Sequence, residues 1–314
     1  MKRDIIFHLE KAGGGYVSGA DIARSLGVSR MAVSKAVGEL RREGAVIESS
    51  TKCGYRLLRS PDTLYPECVR AHLKEDLCVY CHDVIGSTNE EAKKLAGEGA
   101  RHGTAVIAKK QTCGRGRRGR SFHSPDGTGL YMSIILKPDM YDREVMYTVA
   151  AAVAVRKAIS KYNADAKIKW VNDIYIGHRK VCGILCEAVS ELESGTLSSV
   201  ICGIGINLNM PEGGFPEDIT DKAGAVSDSY IPKAGIAADI INELEKTLAM
   251  PSCELISEYQ KYMMLTGRKI YYTVSGKSRC GTVDGVDMTG GLVVRDDEGN
   301  VEILRSGEVQ LEKF

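Results

Sequence analysis

The chain has 314 residues, 43% of them apolar and 26% charged, with ten cysteines and a net charge of +1. That length calls for roughly two or three domains and buries a core without disulfide staples. It holds no run near the roughly 18–20 apolar residues of a membrane span, and MKRDIIFHLEKAGGG lacks the apolar core and cleavage site of a secretory signal, so a cytoplasmic protein with reduced thiols and no membrane partner is expected.

The charge is uneven. Met1–Ser60 carries 11 Lys and Arg against 6 Asp and Glu, net +5, and the remainder is net −4. A basic head on a mildly acidic body suggests a nucleic-acid partner for the head. Ile5, Leu9 and Ala12 recur at helical spacing until Gly13–Gly15 stop them. SGADIARSLG opens with Ser18 and Asp21 as a capping box, and Ala20, Ala23, Ile22 and Leu26 supply an apolar face. After a turn at Gly27–Val28, Ser29 caps a helix with Val33, Val37 and Leu40 on one stripe. Two short helices around a glycine turn form the helix-turn-helix pattern, and AVIESS and CGYRLL around TKCG read as a hairpin wing. Ser29, Arg30, Ser34 and Lys35 stand near the N-terminal end of the second helix, where bases are read; Arg41, Arg42 and Lys52 suit phosphates. A small helical interaction domain with a solvated basic face is the alternative.

The body begins after SPDTLYP, a linker. Cys78 and Cys81 have CxxC spacing, which zinc or thiol redox chemistry uses. No second pair accompanies them, and a strand over LCVYCHDVI turns them to opposite faces, so an inert pair is expected. TAVIAKKQ, GLYMSIILK, AKIKWVNDIYI, KVCGILCEAV and LSSVICGIGINLN read as strands, with Leu130, Met132, Ile134 and Leu136 on one face. REVMYTVAAAVAVRKAISKY reads as a helix packed on the sheet, giving an α/β or α+β domain with a mixed sheet.

Three stretches of the body carry chemistry. In GSTNEEAKKLA, Ser87, Thr88 and Asn89 either cap a helix or ring a small polar ligand with donors and acceptors. In KKQTCGRGRRGRSF, Gly114, Gly116 and Gly119 leave backbone amides open to an anion. Arg115, Arg117, Arg118 and Arg120 add guanidinium forks for phosphate or carboxylate. No Walker P-loop is present. In KWVNDIYIGHRKVCGILCE, a two-residue turn at Gly177–His178 sets Tyr175 opposite Lys180 and Asp173 opposite Cys182. Asp173 and Lys180 then become diagonal neighbours, as a surface ion pair or as an anion-handling lysine held by a carboxylate. The tail, from Thr266, is strand-rich with tight turns at Gly290–Gly291 and Gly299–Asn300, which suggests a small barrel.

The motifs STN (87–89), GRGRRGR (114–120), SPDGTGLYMS (124–133), KWVND (169–173), RKVCGIL (179–185), GIGINLN (203–209) and SGEV (306–309) span nearly the full chain. In this order they resemble the bifunctional biotin–protein ligase and biotin operon repressor family in its winged-helix form. The resemblance implies a multidomain α+β chain. Residues 1–60 would be a winged helix-turn-helix, 61–265 a mixed-sheet catalytic domain of the class II synthetase type, and 266–314 an SH3-like barrel. It implies biotin and ATP as substrates with Mg²⁺, biotinyl-5′-AMP as intermediate, and a lysine of a biotin carboxyl carrier protein as acceptor. A homodimer loaded with adenylate would bind operator DNA.

By resemblance Lys180 and Arg115 are catalytic. Ser87, Thr88, Asn89, Gln111, Arg115, Gly116, Arg117 and Lys180 bind biotin. Arg117, Arg118, Lys169, Asn172 and Asn207 serve the nucleotide, and Asp173 helps place Mg²⁺. Two positions depart from the family pattern: Val171 stands where proline is usual and Phe122 where tryptophan is common. A non-catalytic ligand-sensing DNA-binding regulator and a lipoate–protein ligase are the alternatives.

Overall fold

A computed structural model describes residues 1–59, 64–138, 144–190, 197–274, 277–305, 307 and 309–311. The head is α1 (Lys2–Lys11), α2 (Gly19–Leu26) and α3 (Arg30–Arg42), followed by an antiparallel hairpin of β1 (Val46–Ser50) and β2 (Gly54–Arg59). Its core takes Ile5, Ile6 and Leu9 from α1, Ile22 and Ala23 from α2, and Val33, Ala36, Val37 and Leu40 from α3. Ala12, expected on the stripe of α1, lies just past its end as the C-cap. Gly27, at φ +64°, takes the left-handed conformation that ends α2 and turns the chain into α3.

Ser29 Oγ accepts from Ala32 N at 3.1 Å, as the sequence suggested. The capping box at Ser18 is only half made. Ser18 Oγ accepts from Ala20 N at 3.2 Å, while Asp21 pairs with Arg24 at 3.2 Å, one turn on along the helix. Arg41 is committed to the wing, donating to Ile47 O at 3.0 and 2.7 Å and to Ser49 Oγ at 2.6 Å.

A short helix, α4 (Pro66–Arg70), joins head to body, packing against α1 on one side and α7 (Lys233–Leu248) on the other. Leu64, Cys68 and Val69 are buried there. Polar contacts reinforce the junction: His72 Nε2 meets Glu10 Oε2 at 2.9 Å, and Tyr65 O–H donates to Glu43 Oε2 at 3.2 Å. Asn242 of α7 then donates to His72 O at 2.9 Å and accepts from Lys74 N at 3.0 Å.

The body is a seven-stranded sheet of β3 (Val79–Ile85), β4 (Ala105–Gln111), β5 (Gly129–Leu136), β6 (Lys167–Lys169), β7 (Asp173–Ile176), β8 (Arg179–Ser190) and β9 (Leu197–Asn207). Its spatial order is β3-β4-β5-β9-β8-β7-β6; only β3 and β4 run parallel. Helix α5 (Thr88–Gly97) packs on β4, β5 and β9, while α6 (Glu144–Ile159) packs on β8 and β9 and is backed by α7 and α8 (Ser252–Tyr262).

Leu130, Met132, Ile134 and Leu136 of β5 share one packed face as expected, and the opposite face is buried too, because the strand is central and helices cover both sides. One strand expectation changes. AKIKWVNDIYI is two strands, since the chain breaks at Trp170–Asn172. Long-range bonds hold the break: Trp170 Nε1 donates to Gly290 O at 2.9 Å, Tyr259 O–H to Val171 O at 3.1 Å, and Asn172 Nδ2 to Ile184 O at 2.8 Å.

The tail is a five-stranded antiparallel sheet of β10 (Lys269–Val274), β11 (Lys277–Val286), β12 (Leu292–Arg295), β13 (Val301–Leu304) and β14 (Val309–Leu311), ordered β13-β12-β11-β10-β14. Gly290 and Gly299, at φ +80° and +90°, make the turns marked in the sequence. Among the described residues no helix is long and apolar enough to cross a membrane.

Candidate active site

The site is built on missing side chains. Gly183 of β8 and Gly205 of β9 are direct partners, and Gly203 pairs with Ser133 and Leu185. A Cβ at Gly203 would sit 2.1 Å from Asn89 Oδ1, and one at Gly205 2.5 Å from the Phe122 ring. One at Gly183 would lie 3.1 Å from Lys180 Nζ. These strands thus form a bare floor on which neighbouring side chains rest, below a cavity of about 640 Å³. Every body residue given a catalytic, biotin, nucleotide or metal role lines this cavity, while Gly114 and Gly119, named for open amides, do not.

One end is neutral and closely hydrogen-bonded. Ser87, Thr88 and Asn89 are 5%, 3% and 5% exposed at the start of α5. The helix-capping reading does not hold for Ser87, whose side chain makes no cap bond. The first amide of α5 is satisfied from outside, with Thr88 N donating to Gln111 Oε1 at 2.9 Å. Gln111 Nε2 donates to Ser124 Oγ at 3.0 Å, and Ser124 Oγ to Phe122 O at 2.9 Å. Ser133 Oγ, fully buried, lies 2.7 Å from Thr88 Oγ1 and 2.5 Å from Asn89 Oδ1.

The other end is cationic. The arginine segment is a tight hairpin: Gly116 N donates to Arg120 O at 2.7 Å and Phe122 N to Gly114 O at 2.9 Å. The Gly116 amide, expected to be open to an anion, is therefore used within the loop. Gly114 is required by crowding, since a Cβ there would lie 2.4 Å from Phe122 O. Arg118 sits at φ +57°, a left-handed conformation unusual for a side-chain-bearing residue. Arg117 Nη1 donates to Asn172 Oδ1 at 2.9 Å, tying the loop to the break between β6 and β7. Arg115 pairs with Glu90 at 2.9 Å.

Lys180 and Asp173 form the expected pair, Nζ to Oδ1 at 2.6 Å. The register is only partly as expected. Tyr175 faces Lys180, but a bulge between Ile174 and Tyr175 sets Asp173 opposite Gly183 and Ile174 opposite Cys182. Lys169 Nζ stands 5.2 Å from the centre of the Tyr175 ring, and burial together with Asp173 pushes the Tyr175 phenol up to about 12. Asn207 Nδ2 donates to Gly224 O at 3.1 Å, so part of its capacity is used within the chain.

Other lining residues escaped sequence reasoning: Phe215, Ile219, Lys222 and Ala223 after β9, and Gly307 and Val309 of the tail. Only Gly307 and Val309 carried a signal, within the SGEV motif. Phe122, in place of tryptophan, packs edge-on to Tyr131 at 6.3 Å and covers Gly205.

Among the described residues no three His, Cys, Asp or Glu side chains gather as a metal site. A hard cation would find the Asp173 carboxylate and would need phosphate oxygens for the rest of its shell. Cys78 is exposed and Cys81 half-buried, both free, and burial pushes the Cys81 thiol up to about 12, which leaves it inert. The residues named for DNA lie far from the cavity in sequence: Arg30, Ser34 and Lys35 are exposed on α3, and Ser29 caps it.

Residues 82–207 match the model of the Biotin/lipoate A/B protein ligase family, and residues 2–56 match an HTH domain. The bifunctional ligase/repressor BirA of Bacillus subtilis (strain 168) is 35% identical, over 99% of this chain and 98% of that protein. The protein of the same name from Escherichia coli (strain K12) is 29% identical, over 96% and 94%. The biotin protein ligase from Aquifex aeolicus, solved in complex with biotin and ATP, superposes with a TM-score of 0.64 at 25% identity, covering 76% of this chain and 99% of that one. With a helix-turn-helix head, a mixed-sheet body and relatives that match from end to end, the chain belongs to the family of bifunctional ligase/repressor proteins called BirA.

Proposed function

We propose that the cavity joins biotin to ATP as biotinyl-5′-AMP, and that the protein then passes the biotinyl group to a lysine of a biotin carboxyl carrier protein. One observation supports this above others: the two ends of the cavity differ in kind. Ser87, Thr88, Asn89 and Gln111 offer uncharged donors and acceptors, matched to a ureido head group. Arg115, Arg117, Arg118, Lys169 and Lys180 offer fixed positive charge, matched to a carboxylate and a triphosphate.

The chemistry needs that charge. A carboxylate and an α-phosphate repel each other, and each must shed water to react. Lys180 would lie between them, neutralising the charge as the carboxylate oxygen bonds to phosphorus and pyrophosphate leaves. Asp173 holds the ammonium in place at 2.6 Å and would be the protein's contact to Mg²⁺ carried by the triphosphate. Arg115 and Arg117 would clamp the acyl phosphate, with Gly116 letting the loop come close; Lys169, Asn172 and Asn207 would serve the nucleotide. In the second step the carrier lysine's amine attacks the acyl carbon and AMP departs. A closed arginine loop would shield the mixed anhydride from water meanwhile.

For the repressor half, Arg30, Ser34 and Lys35 on α3, with Ser29 at its cap, would face the major groove of operator DNA. The adenylate-loaded form would bind as a homodimer on a two-fold site. Domain limits at 1–60, 61–265 and 266–314 suit this division of labour.

Biotin-dependent exchange of labelled pyrophosphate into ATP tests the enzyme. Exchange is expected with biotin and Mg²⁺. Its absence beside an active control enzyme would leave a ligand-sensing regulator, and exchange with lipoic acid alone would make it a lipoate ligase.

A further inference from the structure

We propose that Glu187, which lies outside the cavity, sets the donor and acceptor polarity of its neutral end and so determines which head group is accepted. This rests on reading that end as the biotin head-group site.

Glu187 follows Gly183 and Leu185 by the two-residue alternation of a strand, which places it on the face of β8 that meets α5. Its carboxylate is half-buried between two donors: Asn89 Nδ2 at 2.6 Å and Lys93 Nζ at 2.8 Å. Burial would raise the pKa, but the bonds from Lys93 and Asn89 outweigh it and hold the carboxyl below the ordinary glutamate range. Glu187 is thus an acceptor and nothing else.

The rest follows link by link. An asparagine amide turns either way at little cost in itself, but facing a carboxylate it must present its NH₂. Asn89 therefore shows its carbonyl to Ser133, 2.5 Å away. That carbonyl only accepts, so the single Ser133 proton points to it. Ser133 then has no proton left for Thr88 Oγ1 at 2.7 Å, so the single Thr88 hydroxyl proton faces two acceptors, Ser133 Oγ and Gln111 Oε1 at 3.1 Å. At the far end the Thr88 backbone N–H, a fixed donor, orients Gln111, which lines the cavity, so that its Oε1 faces Thr88 and its Nε2 faces Ser124. Three groups of fixed polarity, the Glu187 carboxylate at 2.6 Å, the Leu185 carbonyl at a longer 3.5 Å and the Thr88 backbone amide, thereby direct a run of four side chains, with Glu187 the stronger hold on Asn89. The bare floor at Gly203, where a Cβ would lie 2.1 Å from Asn89 Oδ1, gives the Asn89 amide its seat.

Glu187→Gln is nearly isosteric but can donate. It lets the Asn89 amide turn, present NH₂ to Ser133, and reverse the chain. The test is pyrophosphate exchange by the full-length protein, with KM measured separately for biotin and ATP, and lipoic acid as competing acid. Glu187→Gln should raise the KM for biotin about ten- to hundredfold, as expected when buried partners are mismatched, leave the KM for ATP within about twofold, and narrow the preference for biotin over lipoic acid. Glu187→Asp, which keeps the acceptor, should fall nearer to wild type. Lys93→Gln removes the ion pair but not the polarity and should shift the biotin KM by no more than about threefold. An unchanged biotin KM in Glu187→Gln, an equal rise in Lys93→Gln, or a parallel loss for ATP would overturn the assignment. If the wild-type protein shows no biotin-dependent exchange, the substrate reading itself falls, and this inference with it.

Discussion

At the scale of single residues, Lys180 and the floor glycines make opposite demands. The side chains of Lys180 and Asp173 are 33% and 21% exposed, so as a surface pair they contribute under about 1 kcal/mol to stability. Lys180→Ala should leave the melting temperature nearly unchanged and lower adenylation by more than about a hundredfold, roughly 2.7 kcal/mol of barrier. Adenylate formation within about threefold of wild type would refute its role. Gly205→Ala should act the other way. Its Cβ would fall 2.5 Å from Phe122, so the ring must move, costing about 1–3 kcal/mol in stability and weakening biotin binding. Calorimetric titration with biotin alone checks this. The Lys180–Asp173 pair was legible because a two-residue turn dictates which residues face each other. The bulge was not, because one extra residue in a ladder follows from packing across the sheet. GIGIN and CGIL stood in plain view as motifs, yet a floor becomes visible only when the side chains resting on it are placed.

At the scale of elements, local signals read well where the sequence carries both halves of an interaction. Ser29 caps α3 as its spacing implied, and Ser29→Ala should cost about 1 kcal/mol, read from the melting temperature of the full-length protein. Arg41, read from the sequence as suited to phosphates, has partners in the chain that its own helix did not reveal: Ile47 O and Ser49 Oγ belong to a hairpin formed later. Arg41→Gln should therefore loosen the wing, yet change the slope of log affinity for operator DNA against log salt by well under the roughly 0.9 expected for a lost phosphate contact. A change of a full unit would return Arg41 to the DNA-contacting set. The break in AKIKWVNDIYI was hidden for a similar reason. Alternation continues through it, and the groups that hold it open, Gly290 and Tyr259, lie 120 and 88 residues from their partners.

At the scale of the whole molecule, head and body meet through α4 and the contact of His72 with Glu10. The hydrogen bond to Glu10, working against burial, raises the His72 pKa above its ordinary 6.5. A raised folded-state value means stability that is fully present below the unfolded pKa and lost as pH rises through the folded one. The melting temperature should thus fall as pH rises from about 6 towards 8, and His72→Gln should flatten that slope; an unchanged slope would remove His72 from the junction's energetics. The division into head, body and tail could be read from charge and turn residues. The junction could not, since neither PECVR nor HLEK shows that each packs against the other. The short helix α4, seated between α1 and α7, loses contacts when either neighbour unfolds. Heat should therefore take head and body apart in one cooperative event, with van't Hoff and calorimetric enthalpies in agreement, so that a DNA-reading head cannot lose its fold while the chemistry beneath it carries on.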